Sequence, residues 1–113
     1  MCMKISKDEL LRINKGFGGN LRSDSSLDYA LDKLKDNKIG PYKKLAYLLR
    51  AILVDHPFSD GNKRTAAYVS LKLAYDFKKQ VDMELLTHHL ISISKNNHGD
   101  IRKIERRIKN AIK

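Results

Sequence analysis

Apolar residues recur along this chain at helical spacing, and the breaks between the stripes are easy to place. Leu10, Leu11 and Ile13 supply one side of a first helix. Ser6 with Glu9 three residues on forms a capping box to open it, and Gly16, Gly18 and Gly19 stop it near Gly16. A polar loop follows over residues 21–26. Leu27, Ala30, Leu31 and Leu34 then fall at i, i+3, i+4 and i+7 and predict a second helix over residues 26–35. Asn37, Gly40 and Pro41 break the chain over 36–41, and Leu45, Leu48, Leu49 and Ile52 predict a third helix over 42–54. Residues 56–62 cannot be regular helix, because Pro57 and Gly61 interrupt them. Residues 63–78 are helical again. Between Thr65 and Phe77 only Lys72 and Asp76 are charged, the mark of a helix buried nearly all round. After a polar break at 79–82 a fifth helix spans 83–94 and ends at Asn96, Asn97, His98 and Gly99. Asp100 caps a last helix, in which Ile101, Ile104, Ile108 and Ala111 recur.

No stretch alternates with a period of two and no segment repeats. The expectation is therefore an all-α fold, one compact helical bundle over residues 1–113, in which the loop at 56–62 leads straight into a buried central helix. With 42% apolar and 32% charged residues in 113, the chain can build one core, which excludes a disordered tail, a collagen-like fibre or a disulfide scaffold. No apolar run approaches the roughly 20 residues of a membrane helix. Residues 1–11 lack the apolar centre of a signal peptide. Cys2 is the sole cysteine, so no internal disulfide forms, and a reducing cytoplasm is the expected setting.

The net charge of +10 adds a preference for anions: nucleic acid, nucleotides or an acidic protein. Without tryptophan and with 7% aromatics, the chain is poorly supplied for stacking on single strands. The last helix turns Arg102, Lys103, Arg106, Arg107 and Lys109 outward against one acid, Glu105, and its simplest reading is a solvated face. Tyr42, Tyr47, Tyr68 and Tyr75 fall in helical segments and are expected to pack. His88 and His89 are adjacent, so they face different directions and make no metal pair.

The segment His56-Pro57-Phe58-Ser59-Asp60-Gly61-Asn62-Lys63-Arg64 carries the chemistry. A glycine-bearing loop that runs into a helix leaves N–H groups free near Gly61, Asn62, Lys63 and Arg64, an anion nest reinforced by the helix dipole. Lys63 and Arg64 add positive charge, and Gly61 leaves the backbone open to phosphate oxygens. Asp60 in so basic a cluster suits Mg²⁺, which takes one or two carboxylates plus substrate phosphates; as a simpler reading, Asp60 caps the helix. Asn62 is placed to contact a phosphate or to hold the loop by its amide. His56 is the one imidazole of the segment and the natural general base for an incoming hydroxyl. Phe58 is expected to point inward and pin the loop. A phosphate cradle, a metal ligand and a base are the parts of phosphoryl or nucleotidyl transfer.

This segment resembles the active-site signature of the Fic/Doc family, His-x-Phe-x-Asp/Glu-Gly-Asn-Gly/Lys-Arg. Gly18, Gly19, Leu21, Arg22, Ser23, Asp24 and residues 27–31 are similar to the N-terminal region of its Doc branch, and the order of helices extends the likeness over nearly the whole chain. In Fic proteins that transfer AMP, the eighth motif position is usually Gly and a second Arg follows three residues after the first. Lys63 and Ala67 stand there in this sequence, as in the Doc branch, whose type member phosphorylates elongation factor Tu. The resemblance implies His56 as base, Asp60 as Mg²⁺ ligand, and Asn62, Lys63 and Arg64 as phosphate contacts. It implies ATP as donor and a protein hydroxyl, on a translation factor such as elongation factor Tu, as acceptor. AMP or NMP transfer is the first alternative, and a catalytically silent basic module that binds nucleic acid or a partner is the second. The family's inhibitory Ser/Thr-x-x-x-Glu-Gly/Asn pattern does not occur: Ile5, Gln80 and Ile101 stand four residues before Glu9, Glu84 and Glu105. Restraint of a toxic member would then fall to a separate antitoxin chain, for which the basic last helix is a candidate docking face, as it is for an RNA-bound target.

Overall fold

Six α-helices make up the regular structure of the computed structural model, which describes residues 5–113: α1 (Lys7–Gly16), α2 (Ser25–Leu34), α3 (Pro41–Val54), α4 (Asn62–Asp76), α5 (Met83–Lys95) and α6 (Ile101–Ala111). Cys2 lies outside the described residues. None of the described helices is long and apolar enough to cross a membrane. The helix starts follow local chemistry. Ser6 Oγ accepts from Glu9 N at 3.2 Å, Asp82 carboxylate from Leu85 N, and Asp100 carboxylate from Arg102 N and Lys103 N. The Ser6–Glu9 box is half made, since no bond from the Glu9 side chain returns to Ser6 among the described residues. Pro41 at the first position of α3 uses a site where a missing N–H costs nothing.

The helix at the centre is α3. It packs against α2, α4, α5 and α6, and Leu45, Ala46, Leu48, Leu49, Ala51, Ile52 and Leu53 bury almost all round it. Ile104, Ile108 and Ala111 bring α6 onto it, and Tyr42 donates its hydroxyl to the Ile112 carbonyl at 2.8 Å. A single antiparallel bridge, Val81 to Ile112, ties the end of α6 to the turn before α5.

The loop at 56–62 does lead into a core helix, but α4 is buried along one face only, which corrects the expectation of burial all round. Thr65, Ala66, Val69, Ser70, Leu73 and Ala74 face inward, whereas Tyr68, Leu71 and Tyr75 are exposed, Tyr75 at 85%. Tyr42 and Tyr47 pack on the core as expected; Tyr68 and Tyr75 do not. A tyrosine counts as apolar in a stripe, yet its hydroxyl is content in water. Small residues on the inner face let α4 approach α3 closely. Its end also comes earlier than the sequence pattern suggests, because Lys78 turns left-handed (φ +53°) and Lys79 N closes on the Ala74 carbonyl at 2.8 Å.

Between α5 and α6 the His89 ring sits with Nδ1 3.5 Å from Arg107 Nη1, and its Nε2 is buried without a partner. Burial first, then the charge of Arg107 and the neighbouring His88, hold its pKa below the ordinary 6.5. The unfolded chain therefore takes up this proton before the folded one as pH falls. The contribution to stability is complete above 6.5 and declines below it. Denaturant midpoints measured from pH 7.5 downward should fall less steeply below 6.5 in His89→Gln than in the wild type; parallel curves would show that His89 is not the titrating group.

Candidate active site

The loop between α3 and α4 is held from three sides. Phe58 inserts into the core with 1% of its surface exposed. The Asn62 side chain clasps the loop from within: Oδ1 accepts from Phe58 N at 3.3 Å and Nδ2 donates to the Phe58 carbonyl at 3.0 Å. On the outside, the segment before α2 pairs with the loop through backbone. Arg22 N and Ser23 N donate to the Pro57 carbonyl at 2.7 and 3.2 Å, and Ser59 N donates to the Asn20 carbonyl at 2.8 Å. Leu21 and Phe58 form the antiparallel bridge at the middle of this pairing. The stretch expected to be a plain polar loop is thus half of a two-stranded clamp.

From below, α1 supplies Asn14, which is 1% exposed. Its Nδ2 donates to the Asp60 carbonyl at 2.8 Å and to Thr65 Oγ1 at 3.2 Å, spanning the residues on either side of Gly61. Gly19 is packed so closely here that an added Cβ would run into the Asp60 carbonyl oxygen and Asn14 Oδ1. Gly61 has φ +73°, and a Cβ there would lie 3.0 Å from Phe17 Cβ. This glycine is required by its left-handed backbone and by the packing of Phe17, a reason beyond an open approach for phosphate.

Phe17, His56, Ser59, Asp60, Gly61, Asn62, Lys63, Arg64 and Ser94 line a cleft of about 360 Å³. All six residues singled out by the sequence thus meet in one place. His56 holds φ +48°, a strained conformation for a residue with a side chain, and no described group bonds its ring. Its ring nitrogens are left for a ligand. The N–H groups of Asn62, Lys63 and Arg64 have no protein acceptor among the described residues, whereas Thr65 N already bonds the Gly61 carbonyl at 2.9 Å. Lys63 and Arg64 are exposed and form no ion pair there, and the first turn of α4 holds no acid to offset them. Two unpaired cations over three free N–H groups at a helix start form a strongly anion-attracting corner.

Asn62 takes the loop-holding role offered for its amide, and the simpler reading of Asp60 falls away. The helix-capping role considered for Asp60 is absent, since Gly61 is the N-cap of α4 and makes no side-chain cap bond. Asp60 Oδ1 accepts instead from Gly61 N at 2.7 Å, so Gly61 leaves the nest, which shrinks to the next three N–H groups. The Asn62 amide holds the loop through Oδ1 and one Nδ2 hydrogen, and its second Nδ2 hydrogen and its backbone N–H have no protein acceptor among the described residues. The second carboxylate oxygen of Asp60 has no partner among the described residues. No group of three or more potential metal ligands occurs among them. One carboxylate beside an anion-attracting corner would suit a Mg²⁺ shared with an anionic ligand, and does not fit a cage made by protein alone.

Sequence reasoning missed Asn14, Gly19, Thr65, Phe17 and Ser94. Asn14 had a visible signal: it lies four residues after Leu10, on the apolar stripe of α1, where a polar group must find a buried partner. Ser94 belongs to α5 and had none. Gly19→Ala is expected to lower stability by about 1–3 kcal/mol in denaturant unfolding. Asn14→Ala is expected to cost about 1–3 kcal/mol by leaving the Asp60 carbonyl and the Thr65 hydroxyl unsatisfied. His56→Asn should unfold at the wild-type midpoint, because Asn tolerates the left-handed region; a loss comparable to that of Gly19→Ala would mean that the ring holds the loop.

Neither the curated proteins nor the solved structures yield a match to this chain. The model of the Fic/DOC family matches residues 5–74, from the start of the described chain through α4 to its last turn. That span contains α1 with Asn14, the clamp at 20–23 and the whole motif loop, and it covers more than half of the 113 residues. The chain belongs to the Fic/DOC family.

Proposed function

We propose that this protein transfers the γ-phosphate of ATP to a hydroxyl of a protein. Family membership supports protein modification with a nucleotide donor, as members are typically transferases. The observation that carries the reading is the meeting, in one cleft, of His56, Asp60, Lys63, Arg64 and three free N–H groups. The donor's phosphates rest on the N–H groups of Asn62, Lys63 and Arg64, with the side chains of Lys63 and Arg64 neutralising their charge. Asp60 is the residue that would hold a Mg²⁺ brought with the nucleotide, and that ion would supply charge stabilisation for the leaving diphosphate. His56 removes the acceptor's proton as its oxygen bonds to the γ-phosphorus; the bond to the β-phosphate oxygen breaks and ADP departs with the electron pair.

Lys63 favours this reading over AMP transfer. It places charge and bulk in the cleft where AMP-transferring relatives usually have glycine, and Ala67 stands in place of their second arginine. AMP transfer by the same loop is the second reading; Gly61 matches the common Fic pattern and does not decide between the two. A translation factor such as elongation factor Tu is the proposed acceptor, and a separate antitoxin chain the proposed restraint, in a cytoplasmic setting.

ATP labelled at the α- or the γ-phosphate, incubated with Mg²⁺, the protein and a lysate, tests the reading. Label on a protein from γ-ATP alone is the expected result, and mass spectrometry of the band names the acceptor. Label from α-ATP establishes AMP transfer instead. His56→Ala should lower transfer about 10²–10⁴-fold with nucleotide binding kept, whereas Arg64→Ala should weaken binding itself. Wild-type transfer by both variants would remove the cleft from consideration.

A further inference from the structure

The outer face of α6 is the largest charged feature that the cleft chemistry leaves unused. Its inner side is fixed against α3 and α5 by Ile104, Ile108 and Ala111. Arg102, Lys103, Arg106 and Lys109 are exposed on the other side, with Glu105 the only acid of the helix. Glu105 pairs with Lys109 at 3.5 Å, and Arg107 leans on His89 and Ser92. Arg102, Lys103 and Arg106 have no carboxylate partner among the described residues. Arg102, Arg106 and Lys109, at intervals of four and three, project from one side of the helix over about 10 Å.

Two features narrow the partner. A protein interface has an apolar or aromatic centre depleted of charge. Among the described residues the exposed large apolar side chains are Tyr29, Tyr68, Leu71, Tyr75, Met83 and Ile91, none of them on α6. A single strand is held by stacking on aromatic rings, and α6 has no aromatic residue. A row of cations with no apolar centre matches a duplex backbone, each strand of which carries a phosphate about every 3.4 Å of helix axis. We propose that α6 docks on the phosphodiester backbone of a nucleic-acid duplex without reading its sequence. The proposal uses no residue of the cleft and stands apart from the transfer reading.

Fluorescence anisotropy of a labelled duplex of about 20 base pairs, DNA and RNA in separate arms, tests it over about 50–200 mM salt. Binding should weaken with a log–log slope of magnitude about 3. The combined variant Arg102→Gln, Lys103→Gln, Arg106→Gln should bind about tenfold or more weakly at the lowest salt, with a slope reduced by about 2. A control removes the same charge outside α6, through Arg12→Gln, Lys35→Gln and Lys38→Gln, all exposed. It should stay within about twofold of wild type. Equal weakening in both variants would mean diffuse attraction to a basic protein and would overturn the proposal. So would the absence of duplex binding, or stronger binding to polyglutamate, which would indicate an acidic protein partner. Matching unfolding midpoints establish that all three proteins are folded.

Discussion

A carboxamide withdrawn from water must find its hydrogen bonds in the protein, and the Asn14 side chain finds them in the backbone and side chain of the motif loop. The Asp60 carbonyl lies just before the left-handed turn at Gly61, and the Thr65 hydroxyl just after the free end of α4. By holding both, one amide sets the angle at which the loop enters the helix. The direction of the N–H groups of Asn62, Lys63 and Arg64 follows from that angle. Gly19 makes the contact sterically possible, and the pairing of residues 20–23 with 57–59 keeps the loop from lifting. Losing the Asn14 bonds would loosen the cleft without altering any of the side chains proposed to contact the nucleotide.

The rest of the molecule divides stability from chemistry. The apolar mass is concentrated on α3, which ends at Val54, and the reactive segment begins almost at once. Two unfavourable features fall within the next few residues: a strained His56 and two unpaired cations at the positive end of α4. A core this continuous can carry such local costs of about 1–3 kcal/mol each. The cations are repelled by the helix they begin, so a bound polyphosphate would relieve the very strain that the sequence builds in.

Much of this was legible in the residues, and the part that was not has a common cause. Helical stripes, the caps at Ser6 and Asp100, the inward Phe58 and the gathering of His56, Asp60, Lys63 and Arg64 are short-range facts, set by neighbours within one turn or one loop. Asn14, Gly19 and the clamp at 20–23 act across chain separations that no local pattern encodes. Asn62 was ambiguous for a different reason, since an amide serves a phosphate or a backbone equally well until the loop is closed. The burial of α4 was overread because Tyr68 and Tyr75 count as apolar in a stripe while standing in water.

The distance along the chain between the two halves of the site also orders its birth. Asn14 is 46 residues from the Asp60 carbonyl and 51 from the Thr65 hydroxyl that it holds. Bringing them together closes a loop that contains the whole of α2 and α3. On the ribosome, where residues emerge at about 5–20 per second, the cleft has no existence until the first turn of α4 has left the exit tunnel. Until then the nascent chain holds ordinary helices and no place for an anion to sit, so a chain interrupted before that turn carries none of the site's chemistry.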